Sequence, residues 1–128
     1  VAERSWRGLA PDLRDGCVFC DRIAAEDYEY EYADTVVRFT PLNPVTPGHM
    51  LFLPAWHAEH PHAEAVRVSM SYAATYANSQ GEDFNLITSS GPAATQSVAH
   101  IHCHYVPRRP GDGLHLPWTG QKKPRAAA

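Results

Sequence analysis

The chain has little cysteine, little net charge and no long apolar run. Three of its 128 residues are cysteine, and two of these stand together as Cys17-Val18-Phe19-Cys20. That count does not make the disulfide framework of a small secreted domain, so reduced thiols and a cytoplasmic location are expected. No stretch approaches the ~18 apolar residues of a membrane span, and the first residues lack a signal-peptide core, so no membrane partner is expected. A net charge of −3 leaves no basic footprint. That excludes a large nucleic-acid polymer interface but permits a small nucleotide, which needs only local donors. There is no internal repeat and no compositional break. One domain is expected, long enough to bury its own core.

Histidine is what the chain has in excess, with eight in all. Three of them stand at every second position of the apolar run His100-Ile101-His102-Cys103-His104-Tyr105-Val106. As a β-strand over 96–106, this run would line the imidazoles on one face, ~6–7 Å apart, with Ile101, Cys103 and Tyr105 on the other. The alternation Tyr28 to Ala33 predicts a strand, Ala33-Asp34 a tight turn, and Thr35 to Phe39 the second arm of a hairpin. Prolines 41, 44 and 47 with Gly48 mark a rigid loop, and His49 to Leu53 reads as a strand stopped by Pro54. From Pro61 to about Asn78, Val66, Met70, Ala73 and Ala77 recur at helical spacing, with Tyr72 and Tyr76 widening the face. Phe84 to Thr88 reads as a further strand, and Ser89 to Thr95 as a loop of small residues. Residues 1–16 read as an irregular arm, 17–118 as the domain, and 119–128 as a flexible basic tail. The fold class expected is α+β: an antiparallel sheet covered on one face by one long helix.

Two constellations carry chemistry. Cys17-x-x-Cys20 is half of a tetrahedral zinc site, competing with a redox pair and with two buried thiols that only pack. Zinc would need two histidines to complete it. The histidine row reads either as a tri-His metal site or as a nucleophile row, since neutral imidazole attacks phosphorus and forms a phospho-histidine. With an ordinary pKa near ~6.5, imidazole is mostly neutral at physiological pH.

The row His100-Ile101-His102-Cys103-His104-Tyr105-Val106 resembles the signature of the histidine triad (HIT) family. Cys17-Val18-Phe19-Cys20-Asp21-Arg22-Ile23, Pro47-Gly48-His49 before an apolar strand, and Gln96-Ser97-Val98 resemble its landmarks in order. The resemblance spans about residues 17–118 and points to the Hint-like, zinc-containing bacterial branch. It implies a nucleotide hydrolase or nucleotidyl transferase acting at an α-phosphate, on a phosphoramidate, an acyl-adenylate or a dinucleoside polyphosphate. The catalytic set it implies is His102 as nucleophile, His104 against the α-phosphate and His49 supporting the cluster. Gln96, Ser97 and Ser89 would bind phosphate oxygens or the leaving group, and Asn43 and Phe39 the nucleoside, a purine by preference. It further implies a structural Zn2+ held by Cys17, Cys20, His57 and His100, with His60 as the fallback ligand, and a homodimer. The chain departs from the family's pattern at Ser89, Thr95 and Pro41, all on the substrate side. Two other readings follow from the residues: a nucleotide-binding module without turnover, and a metalloenzyme using all three triad histidines.

Overall fold

A computed structural model describes residues 13–59 and 63–118. Most of the expected N-terminal arm, the expected tail, and Pro61 with His60 and His62 lie outside the described residues. Two α-helices, five strands and a 3-10 turn at Pro92–Ala94 organise the described residues: α1 (Val18–Ala24), β1 (Tyr30–Tyr32), β2 (Val36–Phe39), β3 (Met50–Pro54), α2 (Ala63–Gln80), β4 (Phe84–Thr88) and β5 (Cys103–Pro107). The five strands make one antiparallel sheet in the order β1-β2-β3-β5-β4. The last strand therefore inserts between β3 and β4, which carries the histidine segment to the middle of the sheet. Among the described residues no helix is long and apolar enough to cross a membrane.

Local chemistry sets the first hairpin. Ala33 and Asp34 both take positive φ, 49° and 56°. This matches the twist of the two-residue turn that joins antiparallel strands. Along β2 and β3 the side chains alternate between two cores. Val37, Phe39, Leu51 and Leu53 pack with Phe19 and Ile23 of α1, while Val36 and Phe52 pack with Cys103, Tyr105 and the α2 face. The sheet is thus covered on both faces, not on one as the sequence pattern suggested. Phe19 and Ile23, four residues apart, give the short helix α1 its apolar stripe.

The α2 face is turned slightly from the expected one. Ala65, Val68, Ser69, Ala73 and Ala77 are buried, whereas Val66 and Met70 are only partly so. Small residues let the helix sit close on the sheet, and this decides the rotation more than the larger apolar side chains do. Pro54 closes β3 as its last member instead of stopping it early.

Candidate active site and metal centre

The histidine segment is not one continuous strand. Only Cys103 to Pro107 pairs in the sheet; the chain bends over residues 98–100, where His100 N–H donates to the Val98 carbonyl at 2.8 Å, and reaches the strand through Ile101 and His102. The three imidazoles consequently part company. His100 faces α1, while His102 and His104 remain neighbours with ring centroids 5.0 Å apart.

His100 is fully buried and both of its nitrogens are committed. Its Nε2 donates to the carbonyl of Pro54 at 3.1 Å. Its Nδ1 therefore presents a lone pair, 3.5 Å from Cys17 Sγ and 3.6 Å from Cys20 Sγ. His57 Nδ1 lies 3.3 Å from Cys20 Sγ. The four ligand atoms of Cys17, Cys20, His57 and His100 all lie within 4.8 Å of one another. Two thiols and two imidazoles at such separations suit a tetrahedral ion with bonds of roughly 2.0–2.3 Å. The Pro54 carbonyl is the outer partner that fixes the tautomer of a ligating histidine. Burial pushes His100 down to about 4 and lowers His57, so both rings stand in the neutral form that a metal requires. Burial also pushes the Cys20 thiol up to about 12, a cost that a bound cation would reverse. Cys17 caps α1, its Sγ accepting from Cys20 N–H at 3.4 Å, so the helix start itself spaces the two thiols. These residues could hold a metal. A single ion shared by His100, His102 and His104 does not fit, because both nitrogens of His100 point elsewhere.

The other imidazoles form a chain whose protons can be read from its ends. Val45 N–H donates to His49 Nδ1 at 3.1 Å, so Nε2 of that ring carries the proton. His49 Nε2 then donates to His104 Nδ1 at 2.9 Å, which leaves the proton of His104 on its Nε2. His102 Nδ1 donates to the carbonyl of His100 at 2.7 Å, so its Nε2 is an unprotonated lone pair. One neighbour offers a nucleophile and the other an N–H donor. Burial lowers all three, and for His104 the adjacent His102 and His49 add to it, taking that ring to about 4. They are neutral at physiological pH. Phe19 braces His102 edge-on, with centroids 5.1 Å apart.

The imidazoles separate two clefts. The larger, about 900 Å³, runs past Phe19, Arg22, Phe39, Leu42 and Asn43. The smaller, about 360 Å³, is walled by Asn85, Ser89, Gln96, Arg108 and His115. His49, Ser97, His102 and His104 border both. Every substrate-side residue read from the sequence thus gathers here, with two refinements. The Gln96 amide braces its own loop, accepting from Gly91 N–H at 2.8 Å and donating to the Val98 carbonyl at 3.1 Å. Phe39 is 1% exposed, so it lies beneath the cleft surface. Trp118 is exposed and borders neither cleft.

Three residues went unassigned by the sequence pattern. Val45 contributes through its backbone, which no side-chain motif can signal. Arg22 covers Phe39, its Cζ lying 3.8 Å from the ring centroid. Arg108 grips Asp112 through two bonds of 2.9 and 3.1 Å and Asn85 at 2.7 Å, fixing the loop that walls the smaller cleft. The Arg-x-x-x-Asp spacing of 108 and 112 was the available signal for that clamp.

Comparison with known families decides the lineage. The HIT domain model matches residues 30–111. The chain belongs to the HIT family. Its sequence is 30% identical over 121 residues to the adenosine 5'-monophosphoramidase HNT1 of Saccharomyces cerevisiae, covering 88% of this chain and 77% of that one. It is 32% identical over 115 residues to the adenylylsulfatase HINT3 of Arabidopsis thaliana, covering 80% of this chain and 57% of the relative. Among solved structures, this HIT protein superposes on a Zn-bound histidine triad family protein from Mycobacterium smegmatis with a TM-score of 0.69. That pair shares 31% identity, covering 79% of this chain and 81% of the other. The α+β fold expected from the sequence is the HIT fold.

Proposed function

We propose that this HIT protein cleaves small nucleotides at the α-phosphate through a nucleotidyl group carried on His102 Nε2. The observation that carries the reading is the pair of complementary tautomers: an unprotonated Nε2 on His102 beside a protonated Nε2 on His104. In the first step His102 Nε2 attacks the α-phosphorus as the bond to the leaving group breaks. His104 Nε2–H donates to a phosphoryl oxygen, where negative charge builds. A leaving amine takes its proton from solvent in the smaller cleft. Water then cleaves the N–P bond, giving a nucleoside monophosphate and a proton and restoring the His102 lone pair. The Nδ1 proton of His102, held by the His100 carbonyl, keeps the attacking nitrogen aimed through both steps.

The larger cleft takes the nucleoside and the smaller one the leaving group. An amine, an acyl group, sulfate or a second nucleotide phosphate would meet Ser89, Asn85 and His115 there. HNT1 and HINT3 differ by name in the leaving group they handle, which supports a reading in which the nucleotide side is common and the other side varies. At the metal centre, Cys17, Cys20, His57 and His100 would hold Zn2+ as a cross-link between α1, the segment after β3 and the triad. The relative from Mycobacterium smegmatis, described as Zn-bound, supports that ion. A homodimer is also proposed. Among the described residues the sheet edge β4 pairs on one side only and exposes Phe84 and Ile87, a surface suited to a second copy in antiparallel register. Sedimentation at twice the 14.2 kDa chain mass would support it, and a monomer at micromolar concentration would overturn it.

The decisive experiment is hydrolysis of an adenosine phosphoramidate by wild type and by His102→Ala, with circular dichroism confirming that the variant folds. The expected loss is at least ~10³-fold, as for removal of a covalent nucleophile. Undiminished turnover in the folded variant would remove His102 from the mechanism.

A further inference from the structure

Arg22 sits in the last turn of α1, and the chain immediately after it is shaped to hold its side chain. Glu26 takes a φ of 56°, which folds Asp27 back over the helix end. Asp27 N–H donates to the Arg22 carbonyl at 2.8 Å. Arg22 Nε in turn donates to the Asp27 carbonyl at 3.1 Å and lies 3.3 Å from the Asp27 carboxylate. These bonds secure the near end of the guanidinium and leave its plane to settle on Phe39, with Cζ 3.8 Å from the ring centroid. At that separation the guanidinium is in van der Waals contact with the ring that it covers. Phe39 is 1% exposed, whereas the Arg22 side chain is 26% exposed and lines the larger cleft. A flat ligand entering this cleft meets the guanidinium before it meets the phenyl ring.

We infer that Arg22 is the base platform of the larger cleft: the nucleobase stacks on the guanidinium, which is itself backed by Phe39. This rests on the proposed placement of the nucleoside in that cleft. Guanidinium planes stack on nucleobases as they do on aromatic rings, and a cation between two π-faces gains from both. The ordering cost is low, because Asp27 already holds the side chain in place. Stacking reads ring area and not a hydrogen-bond pattern, so the platform favours purines over pyrimidines without separating adenine from guanine.

The test compares AMP with ribose 5-phosphate, which keeps the sugar and phosphate but has no base. Both are titrated by calorimetry or NMR into wild type, Arg22→Ala and Arg22→Lys. AMP affinity is expected to fall about tenfold or more in both variants, the usual scale for losing one stacked base, while ribose 5-phosphate binds all three proteins alike. Arg22→Lys separates plane from charge, and recovery of AMP affinity by lysine would overturn the platform. Equal losses for the two ligands would reduce Arg22 to a structural role and also overturn it. A wild type that binds both ligands with the same affinity would overturn this inference while leaving chemistry at the α-phosphate standing. A wild type that binds neither would overturn both.

Discussion

At the scale of single residues, the site is a problem of where protons sit. Three imidazoles are told their tautomer by a backbone group: His49 by the Val45 amide, His102 by the His100 carbonyl, and His100 by the Pro54 carbonyl. His104 receives its instruction from another side chain, the Nε2–H of His49. His49 is therefore a positioning residue, and its contribution is a donor at one point in space. A glutamine amide supplies such a donor, while leucine fills the volume and supplies none. His49→Gln is expected to keep turnover within about tenfold of wild type, and His49→Leu to lose about 100-fold, the lower range for misplacing an acid–base group. Because the loss arises in the reacting complex and not in ground-state binding, it should fall on kcat with KM little changed. Equal activities in the two variants would show that His104 needs no instruction.

At the scale of elements, much of the layout follows from local pattern. The Ala33-Asp34 turn, the strand Phe84–Thr88 and the apolar run of β3 were legible because turn chemistry and alternation are short-range. The histidine run misled in one respect. A bend over residues 98–100 turns His100 off the strand, so alternation located His102 and His104 side by side but not the start of β5 at Cys103. The placement of His100 was legible only through resemblance to a family, since nothing local says that a ring in position 100 meets thiols in positions 17 and 20. Arg22 over Phe39 could not be read at all, because it depends on how α1 docks against β2. The entry to β3 offers a test at this scale. Gly48 takes a φ of 92°, and a Cβ there would stand 3.1 Å from Pro107 Cγ on the end of β5. Gly48→Ala combines left-handed strain with a close contact, costing about 1–2 kcal/mol. A melting temperature lower by roughly 5 °C is expected. Since Gly48 precedes His49, activity at a temperature where the variant is fully folded should fall as well. An unchanged melting temperature would mean that the turn relaxes freely.

At the scale of the whole molecule, the cluster of Cys17, Cys20, His57 and His100 and the histidine chain meet at His100. Its side chain faces the thiols, and its carbonyl holds the Nδ1 proton of His102. Chelation of a bound ion should therefore lower the melting temperature by more than about 10 °C, as expected when a structural site is emptied. Cys20→Ser should start lower and respond little to chelator; a wild type indifferent to chelation would remove the cross-link from the account of stability. Acid acts on the same assembly by a second route, and its sign can be worked out from His104. In the fold this ring titrates at about 4, held down by burial and by His102 and His49, against an ordinary value of 6.5. Between those values the unfolded chain binds the proton and the fold does not, so stability rises with pH across the window. The contribution is fully present above about pH 6.5 and is lost as pH falls through about 4, at up to ~1.4 kcal/mol per pH unit for one proton. His49, also lowered by burial, adds in the same direction. Urea midpoints measured from pH 7.5 to 4.5 should fall steadily in wild type. His104→Gln cannot titrate and keeps a polar group beside His49, so its decline over the same window should be shallower. Cys17, Cys20, His57 and His100 are common to both proteins and cancel in the difference. Parallel curves would remove His104 from the acid sensitivity of the fold, and a shallower His104→Gln curve would tie the pH limit of the fold to the ring that receives the His49 Nε2–H.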